Sequence, residues 1–316
     1  MKILFDSHTH INNDGYSEEE RAQLIAAIED SEVAYVMDVG FDLPSSERAV
    51  SDAALLPWCY AAVGVHPHDT KTMTEEIYEK IRRLAGQPKV QAIGEIGLDF
   101  YYNHSDAEDQ RYWFRRQIRL ANELHMPIVI HAREADQETM DILKEEGAFS
   151  EERCGWFPPR PGTGIGRKAG AQTTQKASRA GEGGRAEACE GGRAEACDCT
   201  ENCCMEKDAR VLLHCFSGSR ELAEQYVKLG ATISIAGPVT YKNNRKTSEV
   251  VSAIPIEYLL VETDAPYLTP EPHRGKKNQS PYVAYTARRV ALLKGISYEE
   301  AARRTLENAK RFYGID

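Results

Sequence analysis

Histidines stand at a spacing that suits metal binding near the start of this 316-residue chain. His8 and His10 are two residues apart and follow the apolar run at residues 3–5. Residues i and i+2 of an extended strand point to the same face, so the two imidazoles can converge on one point, as two ligands of a metal ion do. An isolated pair of this kind can also cap a strand or face solvent. The metal interpretation therefore depends on what the rest of the chain provides.

The same residue types follow apolar runs at five further places. In chain order these residues are His66 with His68, Glu95, His131, His214, and Glu262 with Asp264. Histidine and carboxylate without thiolate suit zinc, manganese or magnesium ions that keep open positions for water or substrate. There are enough ligands for two ions, and two ions about 3.5–4 Å apart form the usual arrangement for phosphodiester hydrolysis. Glu95 lies between the two groups of ligands and is the natural bridge.

Eight short, apolar, β-branched runs are predicted to be the strands that position these residues. The runs lie at residues 2–8, 34–40, 60–66, 90–97, 127–132, 210–216, 231–237 and 258–265. Charged amphipathic stretches of helical length separate them, and the first of these opens with a capping box formed by Ser17 and Glu20. This alternation predicts an α/β fold, a (β/α)₈ TIM barrel, with a doubly wound sheet as the alternative. The candidate ligands then fall at the C-terminal strand ends, where such barrels build their active sites.

A segment at residues 151–208 differs in composition from the rest of the chain. It is rich in Gly, Ala, Arg and Pro, holds six of the eight cysteines, and contains the octapeptide EGGRAEAC twice, at 182–189 and 190–197. Because it has almost no aliphatic residues, it is predicted to be a disordered insertion in one domain that spans residues 1–316. It falls between the fifth helix and the sixth strand, on the face opposite the predicted site, and is expected to be dispensable for chemistry. Its cysteines lack paired CxxC spacing, so we predict no zinc ribbon there.

Composition excludes several other classes of protein. The formal net charge of −10 argues against a general nucleic-acid coat but not against a local basic site. No apolar run approaches the roughly 20 residues of a membrane span, and the N-terminus has no secretory signal pattern. These features predict a cytoplasmic protein without a membrane partner, and nothing in the chain indicates an obligate protein partner.

Seven motifs closely resemble those of the TatD family of metal-dependent hydrolases. In order they are DSHTHIN, GVHPH, AIGEIGLDFYY, PIVIHAREA, LLHCFSGS, ETDAPYLTP and HRGKKNQSPYV, and they cover nearly the whole chain outside the insertion. The resemblance implies two divalent ions (Mg²⁺, Mn²⁺ or Zn²⁺), one bound by His8, His10 and Asp264 and the other by His131 and His214, with Glu95 as the bridge. It also implies catalytic roles for Glu95 and for Asp264, which would orient or deprotonate the attacking water.

Several polar residues near these ligands have alternative interpretations. His66 and His68 could contact a substrate phosphate, or support a ligand or cap a strand. Arg133 could bind a phosphate through a forked pair of hydrogen bonds, or pair with Glu134 or Asp136. Glu262 and Asp6 are expected to orient neighbouring groups more than to bind metal directly.

Basic and aromatic residues on the predicted loops suggest a nucleic-acid substrate. Lys242, Arg274 and Lys276 lie in the basic stretches 241–246 and 273–278, which would attract phosphates locally. Aromatic residues on the same set of loops could stack unpaired bases or simply pack locally, namely Tyr101, Tyr102, Phe216, Tyr241 and Tyr267. DNA ends are the favoured substrate, in agreement with the DNase of 3′-5′ exonuclease character that the resemblance implies.

Three alternative functions stay open at this point. The resemblance also permits ester hydrolysis on a D-aminoacyl-tRNA. Small-molecule amidohydrolases share the His-x-His pair of the first strand, although many of them bridge the metals with a modified lysine where this chain has Glu95. A binding or scaffold protein, in which the insertion is the functional part, is the third alternative.

Overall fold

A computed structural model describes residues 1–160 and 207–316 and shows a parallel barrel. Its eight strands are hydrogen-bonded in chain order from first to last. One further bridge joins Thr9, at the end of the first strand, to Ala265, just after the last strand. The sheet is therefore nearly closed, and the predicted TIM barrel is confirmed.

Most strands lie close to the predicted ranges. They are β1 Leu4–Thr9, β2 Val33–Val39, β3 Cys59–Val63, β4 Val90–Asp99, β5 Ile128–Arg133, β6 Val211–Leu213, β7 Thr232–Ile235 and β8 Leu259–Val261. Strands β6 and β8 are much shorter than the ranges 210–216 and 258–265 predicted for them. Cys215 and Asp264 have φ of 44° and 57°, which is not an extended conformation, so the chain turns before the predicted ends.

Helices lie between the strands and begin at recognisable capping residues. Those in the described residues are α1 Glu18–Asp30, α2 Leu43–Leu55, α3 Glu75–Ala85, α4 Ala107–Glu123, α5 Asp136–Glu145, α6 Glu151–Gly155, α7 Arg220–Lys228, α8 Arg245–Ala253, α9 Val283–Lys294 and α10 Tyr298–Tyr313. The capping box predicted for α1 is present, since Ser17 and Glu20 each accept a hydrogen bond from the other's main-chain N–H. Within residues 1–160 and 207–316, no helix is long and apolar enough to cross a membrane.

Apolar side chains fill the barrel and plug its N-terminal end. The interior cluster includes Phe5, Met37 and Leu260, and the last turn of α10 adds Phe312 and Tyr313 to it. The rings of Phe5 and Tyr313 lie 5.8 Å apart, and the Tyr313 hydroxyl donates a hydrogen bond to the main-chain oxygen of Ser7. The opposite end, where the strands finish, is left for a site.

The predicted bounds of the insertion, 151–208, are wrong at both ends. Helix α6 lies within this range, and Arg153, Arg160 and Asp208 are fully buried. Arg153 donates hydrogen bonds to the main-chain oxygens of Met126 and Ala209, which precede β5 and β6. The composition of the segment suggested that it buries too little apolar surface to be ordered. Its two ends are ordered because buried side chains there form hydrogen bonds. The predicted disorder of 161–206, with its cysteines, lies outside the described residues.

Arg160 and Asp208, on either side of residues 161–206, are bonded to each other. Their Nη2 and Oδ1 atoms lie 3.0 Å apart, and both side chains are fully buried. We call this ion pair the clasp. It holds the two flanks of the segment together at the N-terminal face of the barrel.

The clasp leads to a prediction about the segment between its two residues. We expect replacement of residues 163–205 by a short Gly-Ser linker to leave kcat/KM within about twofold. Closing a shorter loop between fixed ends changes the free energy of folding only slightly, so the barrel and its site should keep their structure. Thermal unfolding and turnover of the shortened and full-length chains provide the comparison. A loss of more than about tenfold in kcat/KM, well beyond that loop effect, would assign function to the segment and favour the scaffold interpretation.

Candidate metal centre

The six side chains predicted as metal ligands all meet at the C-terminal end of the barrel. They are His8 from β1, His10 just after it, Glu95 from β4, His131 from β5, His214 just after β6 and Asp264 just after β8. Four of the six are buried, and the side chains of Asp264 and His131 are 13% and 18% exposed. The site is thus largely shielded from solvent, with its more open side at these two residues.

Glu95 lies between two groups of nitrogen atoms and turns one carboxylate oxygen toward each. Its Oε2 lies 3.4 Å from His8 Nε2 and 3.8 Å from His10 Nε2. Its Oε1 lies 2.7 Å from His214 Nε2 and 2.8 Å from His131 Nδ1. A carboxylate that bridges two metal ions needs this division of its oxygen atoms.

The first group of donors has the spacing of ligands around one ion. His8 Nε2 and His10 Nε2 lie 3.3 Å apart, and His10 Nε2 lies 3.4 Å from Asp264 Oδ1. Two nitrogens that are each about 2.0–2.1 Å from a tetrahedral zinc ion lie about 3.3 Å from each other. His8, His10, Glu95 and Asp264 therefore fit a divalent cation. In the second group, the distances from Glu95 to His131 and His214 are those of hydrogen bonds.

Neighbouring acceptors bond to two of these histidines, and a carboxylate lies near a third. His10 Nδ1 lies 2.7 Å from the main-chain oxygen of Val39, which can only accept, so the lone pair is on Nε2. His131 Nε2 lies 3.1 Å from an oxygen of Asp99, which leaves Nδ1 for the centre. His214 Nδ1 lies 3.3 Å from Glu262 Oε1 without a hydrogen bond, a position compatible with the orienting role predicted for Glu262.

His66 faces Glu95 through a nitrogen that carries a hydrogen. Its Nδ1 accepts a hydrogen bond from the main-chain N–H of His68 at 3.1 Å, so the proton of the neutral ring lies on Nε2. That Nε2 is 3.5 Å from Glu95 Oε1. His66 can therefore donate toward Glu95 or toward a substrate oxygen, but in this tautomer it cannot bind a metal. Its position is compatible with both the substrate contact and the supporting role predicted for it.

Burial and opposite charge act against each other in this cluster. Burial raises the pKa of Glu95, but His214, His66 and His131 outweigh burial and hold it well below its usual value. Burial lowers the pKa of His214, but Glu95 and Glu262 outweigh burial and raise it well above its usual value. The carboxylates are thus held ionised by the surrounding histidines, and a bound cation can equally hold them so.

Asp99 belongs to the site but was missed in the sequence. Its Oδ2 lies 3.1 Å from His131 Nε2 and 2.9 Å from His68 Nε2. Asp99 stands four residues after Glu95 on the same strand, and that even spacing is the signal that could have identified it. Gly97, between them, has φ of 148°, and a side chain there would collide with the main-chain oxygen of His131. The glycine thus allows β4 to approach β5 at the site.

The other predicted substrate contacts lie on the rim or the outer loops. The Arg133 guanidinium lies 4.2 Å and 4.5 Å from the ring centres of Tyr101 and Tyr102, and it makes no ion pair with either predicted acid among the described residues. Three further basic residues are exposed on loops after β7 and β8, and they form no hydrogen bond or ion pair with the six candidate ligands in the part of the chain that the structure covers: Lys242, Arg274 and Lys276. Arg133 therefore lies over two tyrosine rings and Arg274 over the ring of Tyr241, 4.3 Å from its centre, while Lys242 and Lys276 are exposed to solvent.

Asp6 stabilises the loop that carries Asp264. Its two oxygens accept hydrogen bonds from the main-chain nitrogen and the hydroxyl of Thr263, at 2.8 Å and 2.6 Å. Burial raises the pKa of Asp6 to about 7. This contact supports the orienting role predicted for Asp6.

Residues 5–154 and 189–314 match the protein family described as TatD related DNase. The chain belongs to the TatD family. The chain is also 37% identical to YabD of Bacillus subtilis, named an uncharacterized metal-dependent hydrolase, over 99% of this chain and 100% of that protein. It is 28% identical to a protein of Erwinia tasmaniensis named 3′-5′ ssDNA/RNA exonuclease TatD, over 99% of this chain and 100% of that one. The predicted membership is confirmed, and the protein is a metal-dependent hydrolase of this family.

Solved structures of TatD-family proteins share the fold of this hydrolase. The TatD homologue YJJV of Escherichia coli superposes with a TM-score of 0.75 at 23% identity, covering 100% of this chain and 99% of the other. A TatD-family hydrolase of Entamoeba histolytica gives a TM-score of 0.72 at 19% identity, covering 99% and 98%. The family match leaves residues 155–188 uncovered, and they lie inside the predicted insertion.

Proposed function

We propose that this TatD-family hydrolase is a two-metal nuclease that removes nucleotides from the 3′ ends of single-stranded DNA. The observation that carries the proposal is the position of Glu95, which offers one oxygen to each of two donor groups. Two-ion sites of this kind suit phosphodiester hydrolysis. The name of the Erwinia tasmaniensis relative supports the same reaction class and polarity.

In this proposal each candidate ligand has a defined task. His8, His10 and Asp264 would hold one divalent ion and His131 and His214 the other, and Glu95 would offer one oxygen to each. When bound, such ions neutralise phosphate charge and lower the pKa of water. Mg²⁺, Mn²⁺ and Zn²⁺ all accept this donor set.

In this proposal Asp264 orients the attacking water and accepts its proton. Its Oδ1 lies 3.4 Å from His10 Nε2, and its side chain is partly open to solvent. Burial raises the pKa of Asp264, but the contact with His10 and the nearby His214 and His8 outweigh burial and hold this pKa below its usual value. Asp264 is therefore ionised and able to accept a hydrogen bond from water at neutral pH.

Basic residues around the site can attract a negatively charged substrate to this acidic protein. Arg133 is exposed at the end of β5, and Lys242, Arg274 and Lys276 are exposed on the loops after β7 and β8. Their charge attracts phosphates locally despite the net charge of −10. Arg133 can also bind a phosphate through two parallel hydrogen bonds.

The direct test is degradation of an end-labelled single-stranded DNA by the purified protein. We expect shortening from the 3′ end with Mg²⁺ or Mn²⁺ and none with chelator. Asp264→Asn should lower the rate by about 10²–10⁴-fold, the usual contribution of a general base. Asp109→Asn, at an exposed position on α4, is the matched control and should retain full activity.

Intact DNA and RNA ends with metal-loaded protein would contradict the nuclease proposal. The same protein and the same two variants should then be assayed on mischarged D-aminoacyl-tRNA and on small-molecule esters and amides. Activity there that depends on metal and on Asp264 would assign the same centre to one of those reactions.

A further inference from the structure

A row of rings leads from the candidate metal centre to the solvent. The ring centres of His131 and His66 lie 4.3 Å apart, those of His66 and His68 also 4.3 Å, and those of His68 and Tyr102 5.5 Å. His104 packs beside this row, with its ring centre 4.7 Å from that of His68 and 5.5 Å from that of Tyr102, to which it is nearly parallel. His66 is buried, the side chain of His68 is 26% exposed, and Tyr102 is half exposed. The inner end of the row thus contacts the metal ligands, and its outer end is open.

Tyr101, Tyr102 and Arg133 form an exposed aromatic and cationic surface at the outer end, which we call the rim surface. The two tyrosines are 53% and 49% exposed. The Arg133 guanidinium lies over both rings, at 4.2 Å and 4.5 Å from their centres. Aromatic rings and guanidinium planes are the groups on which proteins stack unpaired bases, and a guanidinium also binds phosphate.

Asp99 fixes the rim surface relative to the metal centre. Its Oδ1 accepts hydrogen bonds from the main-chain nitrogens of Tyr101 and Tyr102, at 3.0 Å and 2.9 Å. Its Oδ2 contacts His131 and His68 at 3.1 Å and 2.9 Å. One buried carboxylate therefore holds a candidate ligand on one side and the two tyrosines on the other. A ligand bound on the two tyrosines would therefore lie at a fixed distance from the candidate metal centre.

We propose that the rim surface binds an unpaired nucleobase next to the scissile phosphodiester, with Arg133 on the adjoining phosphate. This inference rests on the proposed nuclease function and adds the surface that selects unpaired ends. In a duplex the faces of a base are covered by its stacked neighbours, so only an unpaired base can present its face to Tyr101 and Tyr102.

The test measures binding separately from turnover. A fluorescent single-stranded oligonucleotide is titrated with the full-length Asp264→Asn protein in Mn²⁺, beside the same oligonucleotide with abasic sites at its two 3′-terminal positions. We expect Tyr102→Leu in this background to weaken binding of the intact oligonucleotide by about 5- to 150-fold, the range for loss of one stacked base. Binding of the abasic oligonucleotide should hardly change, and Tyr102→Phe should retain the preference for the intact one.

Tyr112 provides the matched control. It is 50% exposed on the outer side of α4, and the Arg116 guanidinium lies 5.7 Å from its ring centre. Tyr112→Leu removes an equally exposed tyrosine beside an arginine, and we expect it to leave binding of both oligonucleotides unchanged.

The possible outcomes separate this inference from the nuclease proposal. Equal binding of the two oligonucleotides, or equal weakening of both by Tyr102→Leu, would overturn base binding at the rim surface. If the protein without any substitution cleaved both oligonucleotides at the same rate, base binding at the rim surface would also be overturned, while the nuclease proposal would stand. Base-dependent binding that needs Tyr102, without cleavage of DNA, would support the rim surface and overturn the nuclease proposal.

Discussion

Glu95→Gln is expected to lower the turnover number by about 10²–10³-fold, the scale on which a single group that stabilises the transition state contributes. The glutamate offers a charged oxygen to each donor group, at 3.4 Å from His8 and 2.7 Å from His214. Glutamine has the same shape but only one oxygen and no charge. Its amide N–H₂ would point donors at one of the two groups.

Metal content distinguishes this explanation from simple damage to the fold. We expect Glu95→Gln to bind fewer equivalents of metal, measured by elemental analysis after dialysis, with unchanged far-UV circular dichroism. Glu75→Gln is the control, because Glu75 pairs with Arg116 at the surface, outside the site. If Glu95→Gln kept more than about a tenth of the activity, the loss would be far smaller than expected and Glu95 would not be the bridge.

Asp208→Asn is expected to lower the free energy of unfolding by about 3–5 kcal/mol, the cost of breaking a buried ion pair by removing one partner. Asp208 is fully buried, 3.0 Å from Arg160 Nη2 and 3.2 Å from Arg311 Nε. The substitution removes the negative charge that both guanidinium groups face. Urea unfolding of the two proteins measures the difference.

The pH dependence of this effect has a defined sign. Burial raises the pKa of Asp208, but Arg160, Arg311 and Arg210 outweigh burial, so its pKa in the folded protein lies below the usual value. Its contribution is therefore complete above the unfolded-state pKa and is lost as the pH falls through the folded-state pKa. The difference between the parent protein and Asp208→Asn should shrink in acid.

A nearby exposed ion pair is the control for the clasp. Glu151 and Lys207 pair at 2.7 Å at the same end of the barrel, with side chains 89% and 61% exposed. Glu151→Gln should leave the unfolding midpoint within experimental error, because exposed pairs contribute little. An equally small effect of Asp208→Asn would mean that the clasp does not stabilise the fold.

The barrel was predictable because its local signals agree with one another. Continuous apolar runs mark strands buried on both faces, and capping residues such as Ser17 mark helix starts. The exact ends of β6 and β8 were not predictable. Cys215 and Asp264 lie in apolar runs but adopt positive φ, which depends on the tertiary environment of the strand ends.

The candidate ligands were easier to find than the groups that orient them. His131 and Asp264 lie at the ends of apolar runs, so their positions in the sequence were enough to predict them as ligands. The acceptor of His10 is the main-chain oxygen of Val39, which has no signature in the sequence. Composition also misplaced the start of the insertion, because Arg153 is buried by hydrogen bonds rather than by apolar contact.

The clasp has a consequence for how this barrel could be divided. Its two flanks meet at the N-terminal face, so residues 1–160 and 207–316 join there through side-chain contacts as well as through the chain. The first part contributes His8, His10, Glu95 and His131, and the second contributes His214 and Asp264. Neither fragment has the whole ligand set. The two parts, produced as separate polypeptides, would report their own reassociation through recovered hydrolysis, which makes the segment between them a natural position for a split enzyme.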